Sequence, residues 1–334
     1  MKNIYIIAEI GQAHEGSVGL AHSYIDALAN TGINAIKFQM HIAEAESSIY
    51  ESFRIPFSYE DDTRLAYWKR MEFSKTHWVE LKEHCEVRKL DFIVSPFSVR
   101  AVETLNEIGV ATIKIGSGEL DDFLILDKIS DLGKNIILSS GMSSLPDLDY
   151  AVDFLKSKHC SFALMQCTTA YPTRPRQWGL NMIAEFSKRY QIPIGFSDHS
   201  GDIYACLAAA SLGARLLEFH VTFDKRMFGP DSSSSLTIDQ VHKLVKGVRQ
   251  IEIGLVNPIN KADPSDFRSL KSIFGKSLAV NKPLKMGHLL AVEDLESKKP
   301  AGYGVCVKSY KNLLGKALAK DVDQWDFLTE NHFS

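Results

Sequence analysis

Histidines 199 and 220 occupy nearly the same local setting. His199 follows the apolar run 192–196 in Gly195-Phe-Ser-Asp-His-Ser-Gly201, and His220 follows the run 214–217 in Leu217-Glu-Phe-His220. A helix-like segment, 204–212, separates them. If both runs are parallel strands, the two imidazoles emerge at one edge of one sheet, where they form a site for a divalent cation. Taken singly, each histidine reads more readily as a hydrogen-bonded residue at a strand end. Other polar residues in matching positions change that balance: Glu9, Lys37 with Gln39, Ser95, Lys114 with Ser117 and Glu119, Ser139, Thr168, Ser197, and Glu218. Lys37 and Lys114 can neutralise an anion, and the hydroxyls of Ser95, Ser139 and Ser197 can complete a cradle for phosphate and carboxylate. The glycines of Ile115-Gly-Ser-Gly-Glu119 let backbone N–H groups approach an anion where a helix is expected to open. Either lysine is also a candidate Schiff-base nucleophile of a barrel aldolase. Carboxylates Glu9, Glu119 and Asp231 beside the histidines suit a cation with open positions.

These residues need a scaffold that gathers strand ends. Short β-branched runs at 4–8, 35–38, 92–94, 112–115, 136–138, 162–165, 192–196 and 216–219 alternate with amphipathic stretches near 20–30, 75–89, 99–108, 121–132, 145–158, 179–190, 202–212 and 237–253. Strict alternation predicts parallel strands with crossover helices. Eight units over about 250 residues fit an α/β (β/α)8 TIM barrel, residues 1–255, better than an open doubly wound sheet. No GxGxxG follows the first strand, which weighs against a dinucleotide fold. In such a barrel the residues past the C-terminal strand ends converge on one site. Thr237-Ile-Asp-Gln240 supplies a capping start for the last helix.

Two stretches break the rhythm. Residues 40–75 form a long, charged, aromatic-rich insertion after the second strand, on the face where barrels carry their sites, and a lid is the expectation. Residues 256–268, rich in Pro, Asn and Asp, read as a linker. Beyond it, 269–334 carries short alternating stretches divided by Gly and Pro, as in a small β-rich domain that packs on another domain or subunit.

The 334 residues are 45% hydrophobic and 24% charged, with net charge −3 and no block of like charge, so neither nucleic acid nor an anionic membrane is an expected partner. The N-terminal apolar run is broken by Glu9 and lacks the features of a signal peptide. Five scattered cysteines without CxxC spacing read as reduced thiols, and a cytoplasmic location is expected.

Ile7-Ala-Glu-Ile-Gly11, His14-Glu-Gly16, Ala35-Ile-Lys-Phe-Gln39, Ser95-Pro-Phe97, Lys114-Ile-Gly-Ser-Gly-Glu119, Ser139-Ser-Gly-Met142, Tyr171-Pro-Thr173, Gly195-Phe-Ser-Asp-His199, Glu218-Phe-His220 and Gly229-Pro-Asp231 recur together, in this order, in one family. Over essentially its full length the chain resembles the sialic acid (N-acetylneuraminate) synthases and their legionaminic and pseudaminic acid relatives. Gly275-Lys-Ser-Leu-Ala279, Leu284-Lys-Met-Gly287 and Lys299-Pro-Ala-Gly302 resemble the antifreeze-like (SAF) domain of that family.

The resemblance implies condensation of phosphoenolpyruvate with the open-chain aldehyde of an N-acylhexosamine, giving a nine-carbon 2-keto-3-deoxy sugar acid and phosphate. It implies a divalent ion, manganese before magnesium or cobalt, on His199 and His220. Phosphoenolpyruvate is implied at Lys37, Ser95, Lys114, Ser117, Ser139 and Ser197, and the sugar at Glu9, Gln39, Glu119, Tyr171 and Asp231. A domain-swapped homodimer follows from the same resemblance. A metal on the aldehyde oxygen steadies the developing alkoxide. Attack leaves cationic character at C2, which Glu218 or Glu119 is placed to steady, while Glu9 and Asp231 are candidates for gripping hydroxyls or moving protons.

Four departures all fall on the sugar side. Lys299 stands where the family's small domain often carries an arginine that reaches the partner's site, a point charge in place of a planar fork. Thr169 replaces a frequent Asn, Phe219 replaces a basic residue, and 42–73, apart from scattered matches, does not align with the family. The departures leave the acceptor open among N-acetylmannosamine, a diacetamido-trideoxyhexose and their relatives. Besides the Schiff-base aldolase, a sugar-binding protein that has lost activity is the competing reading.

Overall fold

Eight parallel strands pair in sequence order, and the eighth returns to the first to close a barrel. They are β1 (Tyr5–Gly11), β2 (Ala35–Met40), β3 (Asp91–Pro96), β4 (Thr112–Ile115), β5 (Asn135–Ser139), β6 (Phe162–Cys167), β7 (Ile194–Asp198) and β8 (Leu216–Thr222). A two-residue β9 (Leu236–Thr237) pairs parallel with the C-terminal end of β8. The computed structural model describes residues 3–55 and 57–333. Met1 and Lys2 of the N-terminal segment, Pro56 of the insertion and Ser334 of the C-terminal domain lie outside the described residues.

Helices α1 (Val18–Leu28), α2 (Ala43–Glu46), α3 (Arg64–Met71), α4 (Lys75–Val87), α5 (Val99–Glu107), α6 (Phe123–Ser130), α7 (Leu145–Ser157), α8 (Asn181–Tyr190), α9 (Tyr204–Ser211) and α10 (Ile238–Val256) follow in order. Their starts are written locally. Ser17, Ser74 and Ser98 accept a backbone N–H from the first turn of α1, α4 and α5. Thr237 and Gln240 form the reciprocal capping box expected for α10. The (β/α)8 barrel predicted from alternation is therefore the fold, and strand bounds differ from the apolar runs mainly by extension at the C-terminal ends.

Those extensions carry the chemistry. Successive strand residues face opposite sides, so every second one points into the barrel. Ile7, Ala35, Ile93, Ile137 and Met165 form one buried cluster, while Ile6, Ala8, Ile36, Phe38 and Val94 pack in a separate cluster with the helices. Two residues further along each strand the same parity brings Glu9, Lys37, Ser95, Ser139 and Cys167. An apolar layer thus seals the barrel beneath a polar one.

The insertion is not a structureless loop. Helices α2 and α3 pack Ala43, Tyr67, Trp68 and Met71 into a small core of their own, with Phe53 and Phe57 against it. Arg70 fixes this excursion to the barrel: its guanidinium donates to Asp61, to the Glu15 carboxylate at 2.9 Å and to the Glu15 carbonyl. A Cβ at Gly16 would stand 2.3 Å from the Arg70 carbonyl oxygen, so the glycine of His14-Glu-Gly16 is required by this close approach as well as by its φ of +77°.

The chain divides into two compact units, Met1–Asn257 and Pro258–Ser334. The second opens with a short helix, α11 (Arg268–Phe274), which its residue pattern did not announce. It then pairs β10 (Ser277–Val280) with β11 (Leu295–Lys298) antiparallel around a core of Leu278, Val280, Leu284, Leu318 and Leu328. Apart from isolated bridges, that is its only sheet among the described residues, and short 3-10 segments, the longest Val307–Asn312, punctuate the remainder. No helix among the described residues is long and apolar enough to cross a membrane.

Candidate active site

The polar layer is one residue deep and contributed by all eight strands: Glu9, Lys37, Ser95, Lys114, Ser139, Cys167, Ser197 and Glu218 line the floor of one cleft of about 530 Å3. The cleft also takes Gln39, Ser117, Glu119, Tyr171, His199, His220 and Asp231. Lys299 is not part of this set; it lies in the second unit, with its ammonium 5.2 Å from the Phe274 ring centroid. For β6 the expected strand-end residue was Thr168, and the structure replaces it. By parity Thr168 faces away from the cleft, while Cys167 and Thr169 line it. Counting by two from Met165 would have found both.

The floor is a closed network of charges. The Lys37 ammonium donates to Glu9 Oε1 at 2.7 Å and lies 3.3 Å from Glu218 Oε1 and 3.4 Å from Ser95 Oγ. Lys114 donates to Glu218 Oε1 at 2.9 Å, and Ser197 Oγ donates to the same oxygen at 3.2 Å. Gln39 adds a hydrogen bond to Glu9 at 2.6 Å. None of the four ionisable groups is more than 3% exposed. Burial alone would raise both carboxyl groups, but Lys37 and Lys114 outweigh it, and Glu9 and Glu218 are held below the usual carboxylate range. Burial would likewise lower the Lys37 ammonium, and Glu218 and Glu9 reverse that. Two ammoniums thus face two carboxylates. Glu218 Oε2 is buried without a hydrogen-bond partner, an unsatisfied oxygen at the edge of a cleft.

Above the floor the imidazoles of His199 and His220 lie with ring centroids 5.3 Å apart. His199 Nδ1 lies 3.0 Å from the Thr168 carbonyl. That bond fixes the orientation of the ring, as carbonyl partners do for metal-bound imidazoles, and directs Nε2 away from the backbone. Burial would lower His199, yet Cys167 and the Thr168 carbonyl push it up to about 9. Burial lowers His220 despite Glu9, whose Oε2 is 3.3 Å from its Nε2. Tyr171 stacks on His199 at 4.2 Å between centroids and meets His220 edge-on at 6.0 Å. No three His, Cys, Asp or Glu side chains among the described residues form a ready cage for a metal. The donors present are two imidazoles, which fit a cation that keeps open positions for substrate oxygens and water, rather than a closed structural site.

The Gly116–Glu119 loop departs from expectation in one respect. It opens a single 3-10 turn, Ser117–Glu119, and α6 begins only at Phe123, capped by Asp122. There is no helix dipole at Ser117, and anion binding there rests on hydroxyl and backbone N–H groups alone. Burial pushes the Glu119 carboxyl up to about 7.

The insertion supplies residues that spacing did not single out. Arg54 donates to Asp231 Oδ1 at 3.1 Å and lies 4.1 Å over the Tyr171 ring. His41 is sandwiched between Trp68 at 3.9 Å and Phe97 at 4.6 Å, with Nδ1 2.7 Å from Glu46 Oε1. Arg64 pairs with Glu51 at 3.3 Å across the Trp68 face.

Residues 24–259 match the NeuB family. The chain is 32% identical to an N,N'-diacetyllegionaminic acid synthase of Campylobacter jejuni, over 99% of this chain and 100% of that protein. It is 32% identical to the N-acetylneuraminate-9-phosphate synthase of Homo sapiens, over 98% of this chain and 91% of that one. Among solved structures, the N-acetylneuraminic acid (sialic acid) synthetase of Leptospira borgpetersenii superposes with a TM-score of 0.71 at 30% identity, covering 80% of this chain and 90% of that one.

Proposed function

The chain belongs to the NeuB family, and on that premise we propose that it condenses phosphoenolpyruvate with the open-chain aldehyde of an N-acylhexosamine, with a divalent ion on His199 and His220, to give a nonulosonate and phosphate. Membership makes it an enzyme that forms carbon–carbon bonds. The observation that carries the finer reading is the convergence of two lysines, four serines and two imidazoles in one cleft.

Lys37 and Lys114 bind and orient the enol phosphate, with Ser95, Ser117, Ser139 and Ser197 donating to its oxygens. The cation, when bound, polarises the aldehyde oxygen and stabilises the charge that grows there. Glu218, ionised between the two lysines and with Oε2 free, steadies positive character at C2 while water adds. Tyr171, Gln39 and Glu119 hold the sugar, and Asp231, tethered by Arg54, grips a hydroxyl. A Schiff-base reading fits less well: a lysine nucleophile needs a lowered pKa, and Lys37 is raised, while Lys114 is pinned to a carboxylate at 2.9 Å. The same proposal takes the chain as a homodimer, the C-terminal unit as an SAF domain, and manganese as the preferred ion.

Phosphate release across a panel of acylated hexosamines, with mass spectrometry of the product, tests the reaction. Turnover is expected to vanish on chelation and return with manganese. His199→Ala and His220→Ala are each expected to weaken manganese binding at least tenfold by calorimetry. Full turnover after removal of divalent ions, or a covalent pyruvate adduct trapped by borohydride, overturns the reading.

A further inference from the structure

We propose that His22 and His84 form a second metal site, between two outer helices of the barrel, that takes a borderline divalent transition ion, zinc in the first place, between their Nδ1 atoms. The pair is separate from the site of the condensation proposed above, since neither histidine lines the cleft.

Two helices bring the rings together. His22 and Asp26 lie one turn apart on α1, and Glu80 and His84 lie one turn apart on α4, with Arg88 at its C-terminal cap. Residues four apart share a helix face, and α1 packs against α4. The two Nδ1 atoms approach to 2.8 Å, with ring centroids 5.0 Å apart and planes tilted by 40°. With one hydrogen between them, one ring donates and the other accepts. A zinc ion in the same place takes a lone pair from each. Two zinc–nitrogen bonds of about 2.0–2.1 Å at a tetrahedral angle hold their nitrogens about 3.3 Å apart, so the rings need part by only about 0.5 Å. Both side chains are partly exposed, which leaves an ion a way in.

The far nitrogen of His84 is arranged as it is in metal-bound imidazoles. Its Nε2 lies 3.0 Å from Asp26 Oδ1. A carboxylate only accepts, so the hydrogen of that bond sits on Nε2, and in the neutral ring the lone pair is left on Nδ1, facing His22. Such a carboxylate orients a ligand imidazole and raises its basicity. Arg88 donates to the same Asp26 oxygen, which matches its charge and holds the carboxylate in place. Burial, and after it the facing His84, lowers His22, which favours the neutral ring; Glu80 and Asp26 add negative charge nearby and His77 opposes it. Two imidazoles make a clip and not a closed cage, so water fills the remaining positions. The helix α1 follows the Glu15 loop and α4 follows the insertion, so an ion joining them braces the base of the insertion.

Zinc titration of the full chain by calorimetry, after removal of metal with a chelator, reads the site without turnover. One equivalent of zinc bound by the unaltered protein is expected to be lost in His22→Gln and in His84→Gln and kept in His199→Ala, which separates it from the cleft. Asp26→Asn is expected to keep that equivalent at about tenfold weaker affinity. Equal zinc equivalents in the unaltered protein and the two glutamine variants overturn the proposal and leave the pair as a hydrogen bond. Loss in only one of those variants, or Asp26→Asn binding as tightly as the unaltered protein, overturns it too.

Discussion

Replacing Glu218 by glutamine keeps the shape of the floor and removes one charge from a network with no spare. The carboxylate lies 2.9 Å from Lys114 and 3.3 Å from Lys37. At an effective dielectric constant of about 20 those attractions amount to about 6 and 5 kcal/mol. Relief of the carboxylate's own desolvation, several kcal/mol, and of its repulsion by Glu9 offsets much of this. Lys37 keeps Glu9 at 2.7 Å, so the net loss falls on Lys114. That loss has a ceiling, because a buried ammonium without a partner sheds its proton. From an ordinary lysine pKa of about 10.4 to pH 7 the ceiling is about 4.6 kcal/mol. The expected destabilisation is therefore about 3–4.5 kcal/mol, or roughly 6–18 °C in Tm for a domain of this size. The sign of its pH dependence follows. In the variant the folded-state pKa of Lys114 is depressed below the unfolded value, so the native state binds fewer protons and gains stability as pH rises. At pH 9 the ceiling is about 1.9 kcal/mol, and the gap to the unaltered protein should roughly halve. Adding Lys114→Met removes the stranded charge and should recover at least half of the loss. Scanning fluorimetry at pH 7 and 9 on the two single variants and the double variant is the assay. A loss below about 3 °C at pH 7, a gap that widens toward pH 9, or a double variant no better than the sum of the singles refutes the network as described.

Glu119 gives a pH signature of opposite origin: burial raises its carboxyl from 4.5 to about 7. A carboxyl so raised contributes stability that is present below its unfolded pKa and is lost as pH rises through about 7, on the order of 1–2 kcal/mol after discounting for partial exposure. Glu119→Gln should remove that fall between pH 5 and 8 and flatten any alkaline limb of kcat/KM near pH 7; an unchanged profile contradicts a neutral carboxyl there. Arg70→Lys should loosen the insertion, because one ammonium cannot hold Asp61 and both Glu15 oxygens at once. The expected result is KM for the sugar raised about tenfold with KM for phosphoenolpyruvate within about twofold, and parallel changes in the two contradict a role for the insertion in holding the sugar.

How far the site could be read from sequence depended on whether each residue's position was set by local periodicity. A strand alternates with period two, and its β-branched run fixes the parity, so once Ile7, Ala35 and Ile93 are taken as inward, Glu9, Lys37 and Ser95 follow without further information. The same rule held for Ser139, Ser197, Glu218 and His220 because their strands read as short, unambiguous apolar runs. It failed at β6, where Gln166-Cys-Thr-Thr offered no apolar contrast and the hydroxyl of Thr168 drew attention from Cys167. Polarity was mistaken for direction.

The insertion lacks any such period. Arg54 and Arg70 take their places through contacts distant in sequence, Arg54 to Asp231 across 177 positions and Arg70 to Glu15 across 55. Nothing local to Phe53-Arg-Ile distinguishes that arginine from a solvated one; its role is set by Tyr171 and Asp231, which arrive from loops after other strands. The floor is built from strand ends whose geometry the barrel dictates, and the insertion's side of the cleft from a segment with no such constraint. Sequence therefore places the strand-end residues before it places Arg54, Arg64 and Trp68, whose partners only coordinates supply.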